Sequence, residues 1–203
     1  PSMPNEPLIF VEVALTHGIP NSIQDLLNNE QTVYENIAFD TAVFYSISNC
    51  QSGLAGISFG NFLIKQVVED LTSEFGNLKT FVTLSPIPLF QSWLKNEGAK
   101  ITMKENNNLS KLVAFYILNG KRDDGLPFDP VARFHLGNGA QVHAVHENAD
   151  ISEKGINQSQ GMMVNYLYDP SMIGINHEKF VSENIIPASN EIISLSKSVV
   201  KVE

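Results

Sequence analysis

Short apolar runs alternate with amphipathic stretches along this chain, a pattern typical of proteins built from both strands and helices. Residues 8–15 and 39–49 are rich in β-branched and aromatic residues and predict two strands. Residues 61–75 predict a helix, because the apolar positions 62, 63, 67, 71 and 75 fall on one helical face and Gly76 is suited to end it. The first third of the chain is therefore predicted to run strand, helix, strand, helix, with a short helix at residues 23–28 after Ser22 as its N-cap.

The remaining two thirds continue the alternation. Strands are predicted at residues 78–84, 141–146 and 161–168, and helices at residues 89–97, 109–118, 130–135, 178–181 and 187–199. Pro86 and Pro88 follow the third strand and predict that neither sheet nor helix continues there. Residues 103–108 predict a polar loop. This order indicates an α/β or α+β domain.

Length and composition fit one globular domain over residues 1–203. No apolar run approaches the ~20 residues of a membrane span, so we expect no membrane partner. The net charge of −9 disfavours nucleic acid, whose binding proteins need clustered lysine and arginine. Because position 1 is not methionine, we expect an excised domain of a longer protein.

Cysteine and histidine usage gives no sign of a metal. Cys50 is the single cysteine, which excludes an internal disulfide and a cysteine-rich zinc site. Among the five histidines no pair has the His-Glu-x-x-His spacing, and His143 and His146 are expected on opposite faces of a strand. A lone buried thiol fits a reducing compartment, so we expect a cytoplasmic protein, or one of the mitochondrial matrix if the source is eukaryotic.

A glycine-rich turn follows the second strand and precedes the helix of residues 61–75. Its spacing, Gly53-x-x-Gly56-x-x-x-Gly60, matches neither the Walker nor the dinucleotide fingerprint. It resembles loosely the pyrophosphate-binding turn of acetyltransferase-type folds, where backbone N–H groups at a helix N-terminus hold phosphate. A plain strand-to-helix turn fits the local sequence as well.

Ser85 and His135 are the candidate reactive residues. Ser85 follows a buried strand and is held by two prolines, which favours a fixed hydroxyl in a cleft, but a turn-capping serine fits the local sequence equally. No Gly-x-Ser-x-Gly elbow supports a serine hydrolase. His135 ends a short apolar helical turn beside Gly137-Asn-Gly139, where a structural histidine is the simpler interpretation.

Five segments, taken together, favour the catalytic alternative. They are Phe44-Tyr-Ser-Ile-Ser48, Gly60-Asn-Phe-Leu-Ile-Lys65, Leu84-Ser-Pro-Ile-Pro88, Asp129-Pro-Val-Ala-Arg-Phe-His-Leu-Gly-Asn-Gly-Ala140 and Gly161-Met-Met-Val-Asn-Tyr-Leu-Tyr168. In this order they resemble the catalytic domain of the malonyl-CoA decarboxylase family, over roughly residues 6–200. The resemblance implies an acetyltransferase-like (GNAT-type) fold, with a mixed, splayed sheet flanked by helices.

The same resemblance implies the site. The family's catalytic serine falls on Ser85, its catalytic histidine on His135 and an active-site tyrosine on Tyr168. Its substrate-binding and CoA-binding positions fall on Ala55, Gly56, Ile57, Ser58, Phe59, Gly60, Asn61 and Asn165. It further implies decarboxylation of malonyl-CoA to acetyl-CoA and CO2, in fatty acid metabolism, with no metal or organic cofactor and with homo-oligomers as a possible state.

The chemistry explains why such residues are needed. Loss of CO2 from a malonyl thioester leaves an enolate whose oxygen needs a hydrogen-bond donor, a role suited to Ser85. His135, with an ordinary pKa near neutrality, would protonate the α-carbon, and Tyr168 would orient one of the two. Lys65 and Arg133 are candidates for a CoA phosphate by position alone.

Two departures from the family keep alternatives open. The glycine turn of the family carries a glutamate where this chain has Ser58, and we expect the family's N-terminal helical domain to be absent. A second hypothesis is therefore a decarboxylase or acyltransferase of polyketide biosynthesis, acting on malonyl bound to an acyl carrier protein. A third is a non-catalytic CoA-binding domain, against which the joint presence of Ser85 and His135 argues.

Overall fold

A computed structural model describes residues 9–28, 39–49, 60–98, 101–103 and 108–201. Within these ranges only the backbone is described for residues 49, 60–63, 102, 103 and 201. In chain order the strands are β1 (Ile9–Thr16), β2 (Thr41–Asn49), β3 (Thr80–Thr83), β4 (Ser85–Pro86), β5 (Ile101–Met103), β6 (Gln141–His146), β7 (Met163–Leu167) and β8 (Val199–Lys201). The helices are α1 (Ile23–Asn28), α2 (Gly60–Glu74), α3 (Phe90–Glu97), α4 (Leu109–Asn119), α5 (Pro130–Gly137), α6 (Glu153–Ser159), α7 (Ile173–Glu183) and α8 (Asn190–Lys197).

The main sheet is mixed, as predicted. Its strands run in the order β1-β2-β3-β7-β4, and β6 pairs with β7 as well. Strands β2 and β3 are parallel and are joined through α2, whereas the other pairs are antiparallel. A second sheet pairs β5 with β8. The crossover through α2 is the kind of helical connection that parallel neighbours require.

Strands β3 and β4 both pair with β7, and they are separated by Leu84. Val82 of β3 faces Leu167, and Ser85 of β4 faces Val164. The sequence prediction that the sheet stops before the prolines was therefore wrong, since Pro86 lies in β4 opposite Met163. A proline is accepted at the end of so short a strand because few ladder hydrogen bonds depend on its missing N–H.

The sheet opens beyond Phe44. The β2–β3 pairing ends where Phe44 faces Thr83, yet β2 itself continues to Asn49. Within the described part of the chain, no ladder pair joins the last residues of β2 to β4. This divergence is the predicted splay, and it creates a cleft between two neighbouring strands.

The core lies between the sheet and the helices around it. It includes Phe44, Ile64, Tyr116, Leu136 and Tyr166, each about 1% exposed or less. An aromatic group formed by Phe90, Trp93 and Tyr116 joins α3 to α4, with the Trp93 and Tyr116 ring centroids 4.8 Å apart. Burial of rings of this size contributes much of the stability of such a core.

Several elements differ from the sequence prediction. Helix α6 and the pair β5–β8 were not predicted, and α7 is longer than the predicted residues 178–181. In β6 a bulge between Val142 and Ala144 inserts His143 as an extra residue, so the strand alternation expected for His143 and His146 does not hold there. Burial lowers the pKa of His143, the charge of Glu191 raises it by a smaller amount, and His146 lowers it.

Candidate active site

Ser85, His135 and Tyr168 form one hydrogen-bonded chain in the cleft. The Ser85 Oγ lies 3.0 Å from Nε2 of His135, and the Tyr168 hydroxyl lies 2.8 Å from Nδ1 of the same ring. All three residues are at most 4% exposed. The structure thus brings together the three residues that the sequence predicted as catalytic, although they are far apart along the chain.

His135 is held in place by the helix that carries it. Helix α5 begins after Asp129, whose carboxylate accepts hydrogen bonds from the backbone N–H groups of Val131 and Ala132. Pro130 fills the first helical position, where its missing N–H costs nothing. At the other end Gly139 has φ +79°, and a Cβ there would lie 2.2 Å from the Ile173 carbonyl oxygen. The turn that stops α5 therefore requires glycine.

Ser85 is oriented by Thr83, two residues earlier in the chain. The Ser85 hydroxyl donates to the Thr83 Oγ1 at 2.8 Å, and the same oxygen accepts the backbone N–H of Tyr166 at 3.1 Å. Because the Ser85 hydroxyl proton points to Thr83, the Ser85 oxygen can only accept a hydrogen bond from His135. The ring proton of His135 therefore lies on Nε2 and is donated to Ser85. The Nδ1 atom then accepts from the Tyr168 hydroxyl.

The His135 ring is packed between aromatic side chains. It stacks on Tyr166 with the ring centroids 4.7 Å apart and the planes at 23°, and Phe134 meets it edge-on at 5.1 Å. Burial of the imidazole lowers its pKa to about 3. The expectation that this residue titrates near neutrality was therefore wrong, because the surrounding apolar groups disfavour the imidazolium ion. At neutral pH the ring is uncharged.

A cavity of about 490 Å³ lies in the cleft between β2 and β4. The described residues around it are Phe44, Tyr45, Ser46, Ile47, Ser85, Pro86, Pro130, Val131, Phe134, His135 and Lys154. Most of these side chains are apolar, and the Ser85–His135 pair forms one polar part of the wall. This size and lining are typical of a small-molecule site.

Tyr168 and Asn165 lie behind that wall rather than in it. Tyr168 contacts His135 and does not border the cavity. Asn165 is fully buried, donates to the Thr83 carbonyl at 2.6 Å, and its Oδ1 contacts His146 Nε2. Both polar atoms of Asn165 are used inside the protein and the residue does not border the cavity, so its role as a substrate-binding residue stays a prediction.

The predicted CoA-binding turn can be placed only in part. Ala55, Gly56, Ile57, Ser58 and Phe59 lie outside the described residues. For Gly60 and Asn61 the structure describes the backbone, which forms the first turn of α2.

The two cations proposed for a CoA phosphate have other contacts. Arg133 donates to the Pro127 and Phe128 carbonyl oxygens at 2.7 and 2.8 Å. Lys65 is paired with Glu69 at 3.8 Å on the outer face of α2. Neither residue borders the cavity. Among the described residues, no cluster of histidine and acidic side chains suits a metal ion, and no helix is long and apolar enough to cross a membrane.

Sequence reasoning missed three residues of this site. Thr83 and Tyr166 act on Ser85 and His135 through contacts between separate strands, and Lys154 borders the cavity from the unpredicted helix α6. The available signal was the period of two along β7, which puts Tyr166 on the same face as Tyr168. The assembled groups can donate hydrogen bonds to a substrate oxygen and can hold a proton on an imidazole.

Comparison with known proteins gives a consistent set of matches. A sequence model of the malonyl-CoA decarboxylase C-terminal domain matches residues 1–110 and 97–202. The mitochondrial malonyl-CoA decarboxylase of Mus musculus is 35% identical over 241 residues, which cover 96% of this chain and 49% of the mouse protein. The crystal structure of malonyl-CoA decarboxylase from Rhodopseudomonas palustris has 45% identity and a TM-score of 0.84, covering 93% of this chain and 49% of that chain. The present chain thus spans about half the length of the curated relatives it matches.

A more distant structure supports the fold prediction. The loading GNATL domain of CurA from Lyngbya majuscula superposes with a TM-score of 0.52 at 15% identity, over 81% of this chain and 71% of that domain. At this identity the likeness concerns the fold alone. The predicted acetyltransferase-like architecture is confirmed by it.

Proposed function

Because the chain belongs to the malonyl-CoA decarboxylase family, we propose that it converts the malonyl group of malonyl-CoA to an acetyl group with release of CO2. The observation that carries the proposal is the buried chain Ser85–His135–Tyr168 at the wall of a cavity of suitable size. The chain covers about half the length of each relative, so malonyl-CoA as its substrate is part of the proposal and is tested below.

In the proposed reaction, the bond between the α-carbon and the carboxylate breaks, and its electron pair moves into the thioester as an enolate. Ser85 and His135 border the cavity, and when a substrate oxygen replaces their contacts with Thr83 and with one another, the Ser85 hydroxyl and the Nε2–H can both hydrogen bond to the enolate oxygen. One such donor stabilises a transition state of this kind by about 2.7–4 kcal/mol. The electron pair is accepted by the substrate's own carbonyl, so the proposal requires no cofactor.

The α-carbon then needs a proton, which we assign to His135. Burial keeps the imidazole neutral at pH 7. The negative charge of the substrate, and then of the enolate, favours the imidazolium ion and raises the pKa of the ring, so a proton is taken up with substrate. Nε2 gives that proton to the α-carbon, and the ring returns to its neutral form. Tyr168 is the positioning residue, since its hydroxyl can either donate to Nδ1 or accept from it.

The test is steady-state kinetics of Ser85→Ala and His135→Ala with malonyl-CoA, following CO2 release by mass. Each variant is expected to lose 100-fold or more of kcat, on the order of the effect of an oxyanion donor or a general acid. Ser171→Ala and His17→Ala are the matched controls, because both residues are exposed and away from the cavity. Near-wild-type turnover of Ser85→Ala or His135→Ala would remove that residue from the mechanism.

The same assay compares two substrates. Malonyl-CoA and a malonyl-loaded acyl carrier protein are incubated in parallel with the wild-type chain. Decarboxylation on the carrier alone would favour the carrier-bound substrate, and none on either would favour a non-catalytic CoA-binding domain. Homo-oligomers and a cytoplasmic or mitochondrial location also belong to the proposal, and sedimentation and cell fractionation test them.

A further inference from the structure

Charge is distributed unevenly around the cavity. Phe44, Ile47, Pro86, Val131 and Phe134 make most of its wall apolar. Burial keeps the imidazole of the proposed catalytic His135 neutral at pH 7, so that ring adds no charge to the wall.

Lys154 supplies the charge in this wall. It is the one lysine or arginine among the described residues around the cavity, and the cavity has no described acidic lining residue. The residue as a whole is exposed, so its side chain lies where the cavity opens to water. An anionic ligand entering this cleft therefore meets an ammonium group.

The backbone that carries Lys154 is tightly constrained. Ser152 caps α6 by accepting the N–H of Gly155 at 3.1 Å, and Asp150 accepts the N–H of Ser152 at 3.0 Å. Gly155 approaches Asp150 so closely that a Cβ would lie 2.4 Å from the carboxyl carbon. Gln24 donates to the same carboxylate from α1 at 3.0 Å. Lys154 is thus attached at a fixed backbone position beside the cavity.

We propose that Lys154 binds the free carboxylate of the acyl group and thereby distinguishes a malonyl thioester from its acetyl product. This inference rests on the proposed decarboxylation and adds a specificity residue to the same site. The acyl group is the part of the substrate that must lie beside Ser85 and His135, and Lys154 borders the same cavity as that pair. A CoA phosphate lies many bonds away from the thioester carbonyl, which makes it the less suited partner for a cation within this cavity.

The position of the charge predicts which kinetic constant it affects. An ammonium that pairs with the carboxylate stabilises the bound substrate, but this interaction weakens as the carboxylate becomes neutral CO2. Such binding lowers KM and lowers kcat to the extent that it is lost in the transition state, so its removal should raise KM and should not decrease kcat. Acetyl-CoA has no carboxylate, so its affinity should not depend on Lys154.

The experiment compares wild type, Lys154→Gln and Lys154→Arg with three ligands. They are malonyl-CoA, malonyl-pantetheine, which lacks the phosphates, and acetyl-CoA as a product inhibitor. Lys154→Gln should raise KM roughly tenfold for both malonyl substrates, as expected for a charge-assisted hydrogen bond partly screened by water. The value of kcat should stay within about threefold and the inhibition constant of acetyl-CoA within about twofold. Lys154→Arg should restore most of the affinity.

Lys179→Gln is the charge-matched control, since Lys179 is exposed on α7 and does not border the cavity. An equal effect of Lys179→Gln would reduce the result to overall charge and overturn the proposal. A rise in KM for malonyl-CoA alone, with weaker acetyl-CoA inhibition, would assign Lys154 to a CoA phosphate and also overturn it.

Binding measurements separate this proposal from the proposed function. Calorimetric titration in a Ser85→Ala background gives the dissociation constants of malonyl-CoA and acetyl-CoA without turnover. Failure of the wild-type chain to release CO2 would refute decarboxylation, and the titration would still report on Lys154. An unchanged ratio of the two dissociation constants in Lys154→Gln would refute the assignment of Lys154 by itself.

Discussion

The buried neutral His135 should make the protein less stable in weak acid. The perturbation is a change of pH between 7 and 5, compared in wild type and His135→Gln. In the unfolded chain the imidazole has its ordinary pKa of 6.5, whereas burial lowers the pKa to about 3 in the folded state. As pH falls below 6.5, the unfolded state binds a proton that the folded state refuses, so the free energy of unfolding decreases.

The two pKa values give the magnitude. Between them, one proton bound only by the unfolded state changes the free energy of unfolding by about 1.4 kcal/mol per pH unit. From pH 7 to pH 5 the loss due to this residue is about 2 kcal/mol, because the first part of the interval lies above 6.5. Below pH 3 both states are protonated and no further loss arises from His135.

Urea unfolding at pH 7, 6 and 5 measures this loss. Wild type should lose about 2 kcal/mol more than His135→Gln over the interval, whatever the stability of the variant at pH 7. Equal pH dependence of wild type and His135→Gln would refute the reasoning, as would an NMR titration that shows the His135 ring protonating near pH 6.

Three further predictions concern the groups around the pair. Tyr168→Phe removes the hydroxyl 2.8 Å from His135 Nδ1 and should lower kcat by about 10-fold to 100-fold with KM little changed. The ¹⁵N chemical shifts of the His135 ring should report a changed balance of tautomers. Wild-type shifts together with a wild-type kcat would contradict the positioning role of Tyr168. Thr83→Val removes the acceptor of the Ser85 hydroxyl and should lower kcat, whereas Thr83→Ser keeps an acceptor and should have a kcat near that of wild type. A low kcat in Thr83→Ser would show that Thr83 acts through the packing of its methyl group and not through the hydrogen bond. Asp129→Ala removes the N-cap of α5 and should reduce the free energy of unfolding, measured by urea titration, by about 1–2 kcal/mol. Asp129→Asn should reduce it by less, because an amide oxygen can still accept hydrogen bonds from the two backbone N–H groups.

The elements predicted best are those with a strong local pattern. Strand β2 and helix α2 are where apolar spacing put them, because one is a continuous apolar run and the other has a clear helical face. The pair β5–β8 could not be predicted in this way. Each strand has three residues, too few to show a period, and Ile101 finds its partner Lys201 near the other end of the chain.

The sequence predicted residues that the structure brings together, but it did not predict the electrostatics around them. Ser85 and His135 stand in specific signatures, so the resemblance found them without any structure. The low pKa of His135 has no such signature, because it arises from Tyr166 and Phe134 packed around the ring together with the rest of the core. The hydrogen bond from Asn165 to the Thr83 carbonyl likewise has no signature in the sequence, because it joins two strands that are far apart along the chain.

Strand β7 has a consequence for how activity appears during folding. It holds Ser85 opposite Val164 and presents Tyr166 to the ring of His135, while the hydrogen-bonded chain joins residues 50 and 33 positions apart in sequence. No fragment that lacks one of these segments contains the whole proposed site, so proteolytic pieces are expected to be inert rather than weakly active. In a refolding experiment, helices depend on local contacts and are expected to form before this site, which needs segments far apart in sequence. The return of activity would therefore mark the final step of refolding.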